Sequence, residues 1–309
     1  MARCVVKRLV ERLLFGGMIS PQRIAEKLEH RGITRDHIRG EHLADVYRRL
    51  NDIASAPDFA SIRESLPGRG PTTVAADSPV LGVIVETRRH PALEFVVLNF
   101  SRTLKVPIQL FHGSGNLEFI MSTEIAGLVS EGKVQLVELK VHDLRASSYN
   151  ALLMTREFWT LVGSRNKILV FQSDAIACEQ SDYRLSDFLA FDYIGSKWPR
   201  NRPVGLLIDG GNGGLSLRDW KKSYECLGRF PPESWTGGED GYFAFHIDLM
   251  GGKVGRATDC ARFCTQYEFL YKSLGAHKIS CLGEASRAAF LQYCKEAELL
   301  VPFKGGMAT

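Results

Sequence analysis

The chain has 309 residues, of which 45% are hydrophobic and 24% are charged. This is an ordinary composition for a globular protein with a packed core. Its 39 basic and 35 acidic residues give a net charge of +4, which is too balanced to indicate a nucleic-acid partner. The length allows one large domain or two unequal ones.

The cysteines indicate a reducing environment. Seven of them are scattered along the chain without a CxxC pair. An odd number of scattered cysteines is typical of buried free thiols, so we predict a cytoplasmic location. Cys260 and Cys264 have the spacing of residues on one face of a helix.

Residues 1–66 are predicted to form a helical region, followed by a linker at 67–79 that is rich in proline, glycine and small polar residues. In the opening stretch MARCVVKRLVERLLFGGMI, apolar pairs recur every four residues, which indicates an amphipathic helix. Its charges exclude a transmembrane segment and a standard signal peptide. We favour packing on its own domain over a peripheral contact with a membrane surface.

Residues 80–309 are predicted to form an α/β domain. The short apolar runs VLGVIVE, VPIQLFHG, VQLVEL and KILVFQSD indicate buried strands, and ALEFVVLNFSRTL between the first two indicates a helix. Two later stretches, CARFCTQYEFLYKSLG and EASRAAFLQYCKEAELL, also suggest helices. Strands that alternate with helices predict a mostly parallel sheet flanked by helices.

Ligands of open α/β sheets bind beyond the carboxyl ends of the strands. Arg88 follows the first predicted strand and suits a phosphate, because its planar guanidinium group matches pairs of phosphate oxygens. A surface ion pair is the alternative. Asp174 either binds a metal ion or caps the next helix, because a lone buried carboxylate is costly. The candidate ligand-binding residues at these strand ends are Glu86, Thr87, Arg88, His112, Gln172, Ser173 and Asp174.

The stretch DGGNGGLSLRD is a second candidate site. Glycines on both sides of Asn212 let the backbone approach a ligand closely, and its N–H groups can bind anions or hydroxyls. A plain flexible turn is the alternative. The residues concerned are Gly211, Asn212, Gly213 and Gly214.

The stretch WTGGEDGYFAF supplies adjacent carboxylates. Glu239 or Asp240 can act as a general base, and Trp235 and Tyr242 can form a wall that stacks on a sugar. The alternative, which is compatible, is an acidic cap for a helix that starts near Gly241. His277, in LGAHK, is on its own a weak metal-ligand candidate.

Together these segments resemble a known family between about Val80 and Lys278. It is the uncharacterised glycosyltransferase-like domain family found in bacteria, fungi and large viruses. The matching stretches, in order, are ETRRHPALEFVVLNF, LFHGSGN, FW, ILVFQSDAI, DFLAFDYIGSKW, GNGGLSLR, GGEDGYF and GAHK. That family is in turn similar to metal-dependent nucleotide-sugar transferases with the Rossmann-like GT-A fold, such as the β-1,4-galactosyltransferases.

The resemblance implies transfer of a sugar from a nucleoside-diphosphate sugar to a hydroxyl of a glycan or another acceptor. One base without a nearby carboxylate nucleophile fits inversion better than retention. It implies Asp174 and His277 as ligands of Mn²⁺ or Mg²⁺. The usual Asp-x-Asp is Gln172-Ser173-Asp174 here, so the first carboxylate is missing. An inactive glycan- or nucleotide-binding module and a nucleotidyltransferase remain alternatives.

For the acceptor half of the site, the resemblance implies Glu239 or Asp240 as the base. Of the two, we expect Asp240 to be the base and Glu239 to bind acceptor hydroxyls, although they can exchange roles. The sugar and acceptor floor would be formed by Gly211, Asn212, Gly213, Gly214, Trp235 and Gly238.

Overall fold

The computed structural model describes residues 56–67, 78–163, 166–199 and 209–301. The predicted helices before residue 56 and linker residues 68–77 lie outside the described residues. The part of the predicted N-terminal region that is described, including helix α1 (Phe59–Arg63), packs on the α/β domain. Ile62 of α1 is fully buried among side chains of the strands.

A six-stranded sheet forms the centre of the fold. Its strands lie in the order β3-β2-β1-β4-β7-β6. The first four are mutually parallel, and β7 runs antiparallel to both β4 and β6. The bounds are β1 Val80–Glu86, β2 Ile108–His112, β3 Val134–Glu138, β4 Lys167–Phe171, β6 Tyr193–Ser196 and β7 Asn212–Asp219. The predicted mixed, mostly parallel sheet flanked by helices is therefore confirmed.

Helices cover both faces of this sheet, which explains why β1, β2 and β4 are buried along their whole length. On one face, Phe100 of α2 (Leu93–Thr103) stacks on Phe171 of β4 with ring centroids 4.0 Å apart. On the other face, Trp159 of α6 (Arg156–Val162) contacts Phe243 of α8 (Glu239–Leu249). The remaining helices are α2 Leu93–Thr103, α3 Leu117–Met121, α4 Ile125–Ser130, α5 Ala146–Leu153, α6 Arg156–Val162, α7 Trp220–Arg229, α8 Glu239–Leu249, α9 Ala257–Phe263 and α10 Glu284–Tyr293.

A second, three-stranded sheet positions the candidate site. It consists of β5 (Ala175–Ala177), β9 (Gly275–His277) and β8 (Cys264–Thr265), with β9 in the middle. Strands β5 and β9 are antiparallel, and Ala175 pairs with His277. This register brings the residue before β5, Asp174, next to the last residue of β9.

Three segments differ from the sequence-based expectation. The glycine-rich stretch is not a loop, because Asn212 begins β7. Helix α9 ends at Phe263, and Cys264 is extended because it pairs with Gly275; Cys260 and Cys264 therefore do not share a helical face. Near the C-terminus, α10 ends at Tyr293 and is followed by a 3₁₀ turn at Lys295–Leu300. Among the described helices, none has the length and apolar character needed to cross a membrane.

Candidate functional site

Asp174, His277 and Gln172 meet at the carboxyl end of β4. His277 Nε2 lies 3.1 Å from Asp174 Oδ1 and 3.2 Å from Gln172 Oε1. The Gln172 backbone N–H donates to the carbonyl of Gly214, which ties this turn to the start of β7. Three side chains from two distant parts of the sequence thus bring their N and O atoms together.

The Asp174 carboxylate is buried; its Oδ1 lies 3.1 Å from His277 Nε2, whereas its Oδ2 accepts no hydrogen bond from a described residue. Burial raises the pKa of this carboxyl, but the nearby His277 and Lys278 outweigh it, so the pKa is lowered overall. A buried, ionised carboxylate with one oxygen left without a hydrogen bond is costly unless a cation compensates it. Carboxylate and amide oxygens with an imidazole nitrogen suit a divalent cation. The residues present therefore fit the Mn²⁺ or Mg²⁺ that the resemblance implies.

Gly214 makes room for the imidazole of His277. A Cβ atom built on Gly214 would overlap the ring, with Nδ1 only 2.5 Å away and two other ring atoms closer. Real Cβ contacts essentially never fall below 3.0 Å. Glycine at this position is therefore a steric requirement of the Asp174–His277 arrangement.

Asp240 lies in the first turn of α8, and Asn212 and Gly213 hold its carboxylate. Asn212 Nδ2 donates to Asp240 Oδ2 over 3.0 Å, and the Gly213 N–H donates to the same oxygen over 3.3 Å. Asp240 Oδ1 accepts from the N–H of Gly241 over 2.6 Å. The side chain is half-buried. A helix N-terminus and two donors thus fix an anionic oxygen at the edge of the sheet.

Glu239, the neighbouring carboxylate, faces away from this position. It accepts two hydrogen bonds from Arg218, from Nη1 over 2.5 Å and from Nη2 over 3.0 Å. Both side chains are buried. Burial raises the pKa of Glu239, and Arg218 opposes that rise. Both oxygens are thus engaged by a guanidinium, which differs from the expected contact of Glu239 with an acceptor.

Two residues that the sequence analysis did not single out, Arg218 and Tyr149, lie at the centre of this arrangement. Burial raises the pKa of the Tyr149 hydroxyl, the charges of Glu239 and Asp174 raise it further, and Gln172 opposes the rise. Tyr149 is therefore near both the Asp174 cluster and Glu239 of α8. The one available signal for Arg218 was a charged residue that continues the alternating, strand-like segment LSL.

Glu86, at the end of β1, joins Arg88 to Ser173. Glu86 accepts hydrogen bonds from Arg88 Nε over 2.8 Å, from Arg88 Nη2 over 2.9 Å and from Ser173 Oγ over 2.8 Å. The hydrogen bond to Glu86 outweighs desolvation and raises the pKa of Arg88. About a third of the Arg88 side chain is exposed. The Arg88 guanidinium is therefore anchored and still reachable by a ligand.

Thr87 and His112 make bonds within the protein. Thr87 Oγ1 accepts from the backbone N–H of Leu144 over 3.1 Å. His112 is buried, and its Nδ1 lies 2.9 Å from the carbonyl oxygen of Gly113. These contacts shape the loops after β1 and β2, and they occupy the Thr87 hydroxyl and His112 Nδ1 that were expected to bind a donor substrate.

A cleft opens beside Asp174 and is bordered by two cations, Lys278 and Arg287. Neither forms an ion pair with a described carboxylate, and both are half-buried. The Lys278 backbone N–H donates to the Asp174 carbonyl, which holds the two residues together. The cleft is completed by Ile279, Ser280, Leu300 and Val301. It therefore combines one carboxylate with two cations that form no ion pair among the described residues.

Trp235 and Tyr242, the expected sugar-stacking wall, lie in the core. Trp235 is 1% exposed and Tyr242 is fully buried. The Trp235 indole stacks on Phe245, and its Nε1–H donates to the carbonyl of Gly238. Neither ring face is available to a sugar. Gly211, another expected contact, uses its carbonyl to accept from the hydroxyl of Tyr193.

The family model described as "Protein of unknown function (DUF5672)" matches residues 133–279. The match spans just under half of the chain and lies almost wholly within the region of the expected resemblance. No curated protein matches the sequence.

Several solved structures are similar. One is described as a candidate glucose-1-phosphate thymidylyltransferase from Bacillus anthracis, with 12% identity and a TM-score of 0.39 over 74% of this chain and 97% of that one. Another is a mannosyltransferase from Pyrobaculum calidifontis with GDP-Man and Mn²⁺, with 15% identity and a TM-score of 0.43 over 89% and 76%. A third is the galactosyltransferase LgtC with donor and acceptor sugar analogues, with 11% identity and a TM-score of 0.46 over 72% and 96%. At such identities and TM-scores, function has to be argued from the site itself.

Proposed function

We propose that this protein is a glycosyltransferase that moves a sugar from a nucleoside-diphosphate sugar to an acceptor hydroxyl. One observation carries the proposal. The buried Asp174 carboxylate has one oxygen beside His277 Nε2 and the other without a hydrogen bond, and Asp174 lines a cleft that two cations, Lys278 and Arg287, border. A divalent cation with a diphosphate would satisfy the carboxylate and both cations at once.

Asp174 and His277 would hold Mn²⁺ or Mg²⁺, and Gln172 would offer its amide oxygen in place of the missing first carboxylate. When bound, the ion would neutralise negative charge on the diphosphate leaving group. The protein's own groups support this role, because Gly214 leaves room for the His277 ring and Gln172 is tied to Gly214 through its backbone.

Lys278 and Arg287 would bind the phosphate oxygens of the donor. A guanidinium offers paired donors to phosphate, and an ammonium offers a compact charge. Arg88, anchored by Glu86 and partly exposed, is a further candidate for the donor's ribose or phosphates. Arg88 lies in the loop after β1, Lys278 in the turn after β9 and Arg287 in α10.

Asp240 would be the general base. Asn212 and Gly213 fix Oδ2, so the carboxylate is held at one place for a proton from the acceptor hydroxyl. Glu239 would act as a positioning residue, because its charge is already compensated by Arg218. A single base at the edge of the site fits displacement in one step with inversion, by analogy with inverting glycosidases.

The proposal is tested by incubating the chain with a panel of nucleoside-diphosphate sugars, Mn²⁺ and sugar acceptors. Release of nucleoside diphosphate and formation of a glycosylated product are measured. Asp240→Asn should lower turnover by about 10²–10⁴-fold, the usual contribution of a general base, and leave donor affinity unchanged. Asp182→Asn is the matched control, because Asp182 lies on the surface in an ion pair with Lys272.

Three results would overturn these assignments. Full turnover in Asp240→Asn would remove Asp240 as the base. Donor binding without turnover under any condition would favour an inactive binding module. Release of pyrophosphate from a nucleoside triphosphate and a sugar phosphate would instead indicate a nucleotidyltransferase.

A further inference from the structure

A second group of metal-ligating side chains lies behind the candidate site. Cys178 directly follows β5, Cys294 directly follows α10, and Glu296 lies in the 3₁₀ turn after it. Their ligand atoms all lie within 4.8 Å of one another. Residues more than a hundred positions apart in the sequence therefore bring two thiols and a carboxylate together.

The group is ordered by contacts with the backbone. Glu296 Oε1 accepts from the N–H of Glu179 over 2.7 Å and from the Sγ–H of Cys294 over 3.4 Å. The Cys178 N–H donates to the carbonyl of Leu274 over 2.9 Å. Both cysteines are buried, whereas Glu296 is half-buried. Each ligand is thus held in place by the fold.

No cation compensates this carboxylate among the described residues, because Glu296 forms no ion pair with a described lysine, arginine or histidine. Two thiols and one carboxylate are a ligand set that a borderline-soft divalent cation prefers over a hard one. In tetrahedral Zn²⁺ sites, Zn–S is about 2.3 Å and Zn–O about 2.0–2.2 Å, so the ligand atoms lie roughly 3.5 Å apart. The 3.4 Å between Cys294 Sγ and Glu296 Oε1 agrees with that separation.

We propose that Cys178, Cys294 and Glu296 form a binding site for Zn²⁺ or a similar cation. On binding, the two thiols lose their protons to solvent and coordinate as thiolates, and the ion gains three protein ligands. Because Glu296 is half-buried, water can occupy the fourth coordination position of the ion. No change of redox state is involved.

Such a site would cross-link β5 to the C-terminal segment. The 3₁₀ turn that carries Glu296 continues into Leu300 and Val301, which line the cleft at Asp174. Strand β5 begins at the residue after Asp174. The ion would therefore fix one wall of the cleft. The metal site itself does not depend on the proposed transferase function.

The test uses the full chain purified with a non-thiol reductant, stripped of metal with a chelator and titrated with Co²⁺. We expect a thiolate-to-cobalt charge-transfer band at about one equivalent, and a rise in the melting temperature on adding Zn²⁺. The Asp174 cluster has no sulfur ligand and cannot produce this band. The band should be lost in Cys178→Ala and in Cys294→Ala, and altered in Glu296→Gln. It should persist in Cys226→Ala, because Cys226 is a buried thiol of the opposite core.

The proposal is overturned if the wild-type chain gives no charge-transfer band, or if the band survives in Cys178→Ala. A Cys178–Cys294 disulfide in chain isolated without reductant, found by mass spectrometry of peptides, would also overturn it. Circular dichroism of each variant establishes that it is folded. If an alanine variant does not fold, the altered band in the conservative Glu296→Gln variant provides the test, and an unchanged band there contradicts the site.

Discussion

Substituting Gly214 by alanine should disable the Asp174–His277 cluster without unfolding the protein. The new Cβ atom would overlap the imidazole of His277, with Nδ1 at 2.5 Å, whereas ordinary van der Waals contact begins at 3.4 Å. The ring would have to retreat by at least about 0.9 Å at that atom. His277 is enclosed in the core, so it can move only by leaving Asp174 and Gln172.

The expected magnitude has two parts. Overpacking a well-packed site costs about 1–3 kcal/mol, which lowers the melting temperature by about 2–4 °C per kcal/mol in a chain of this size. The second part concerns the metal. At [Mn²⁺] = 100 Kd, the wild-type chain should gain about 2.7 kcal/mol of stability, and the variant should gain close to none.

Thermal unfolding with and without Mn²⁺ measures both parts. Gly127→Ala is the matched control, because Gly127 lies inside α4 and a Cβ atom there meets nothing within 4 Å. Alanine is a better helix former than glycine by about 1 kcal/mol, so the control should be neutral to stabilising and keep its response to Mn²⁺. A Gly214→Ala chain with the wild-type response to Mn²⁺ would refute the assignment of His277 as a ligand.

Two further predictions concern stability. Arg218→Met should destabilise the chain by about 3–5 kcal/mol in urea unfolding, because it leaves the buried Glu239 uncompensated, and adding Glu239→Gln should recover much of the loss; an equally unstable double variant would contradict this. Burial lowers the pKa of His246 from its ordinary 6.5 to about 3, against an opposing hydrogen bond with Tyr242. Between those values the unfolded chain binds more protons than the folded one, so stability should fall as the pH drops below 6.5, by about 1.4 kcal/mol per pH unit. His246→Leu should flatten this slope in urea unfolding between pH 7.5 and 5, and an unchanged slope would exclude His246 as its source.

The sheet could be predicted because its strands are continuous apolar runs. Strands buried on both faces, such as Val80–Glu86 and Lys167–Phe171, leave that signal whatever their neighbours are. The stretch after Phe263 gave a helical pattern, but Cys264 is extended because it pairs with Gly275 in a small sheet. Tertiary pairing there overrides local propensity, and no local pattern reports it.

The candidate site was only partly predictable for a related reason. Asp174 and Asp240 follow apolar or glycine-rich stretches, so their positions stand out along the chain. Whether a side chain is buried, and which side chain it pairs with, cannot be read from the sequence around it. An aromatic residue a few positions before two carboxylates gives the same sequence pattern whether its ring faces solvent or, like that of Trp235, lies in the core. The bidentate pairing that occupies Glu239 depends on Arg218 of β7, which only the folded chain brings near.

The most direct test of the account is anomalous scattering from crystals of the protein grown with Mn²⁺ and a nucleoside diphosphate. We predict a manganese peak between Asp174 and His277, with the diphosphate in the cleft beside Lys278 and Arg287. Nucleotide bound elsewhere, or manganese away from Asp174 with an empty cleft, would contradict the central claim that this cluster is the donor site.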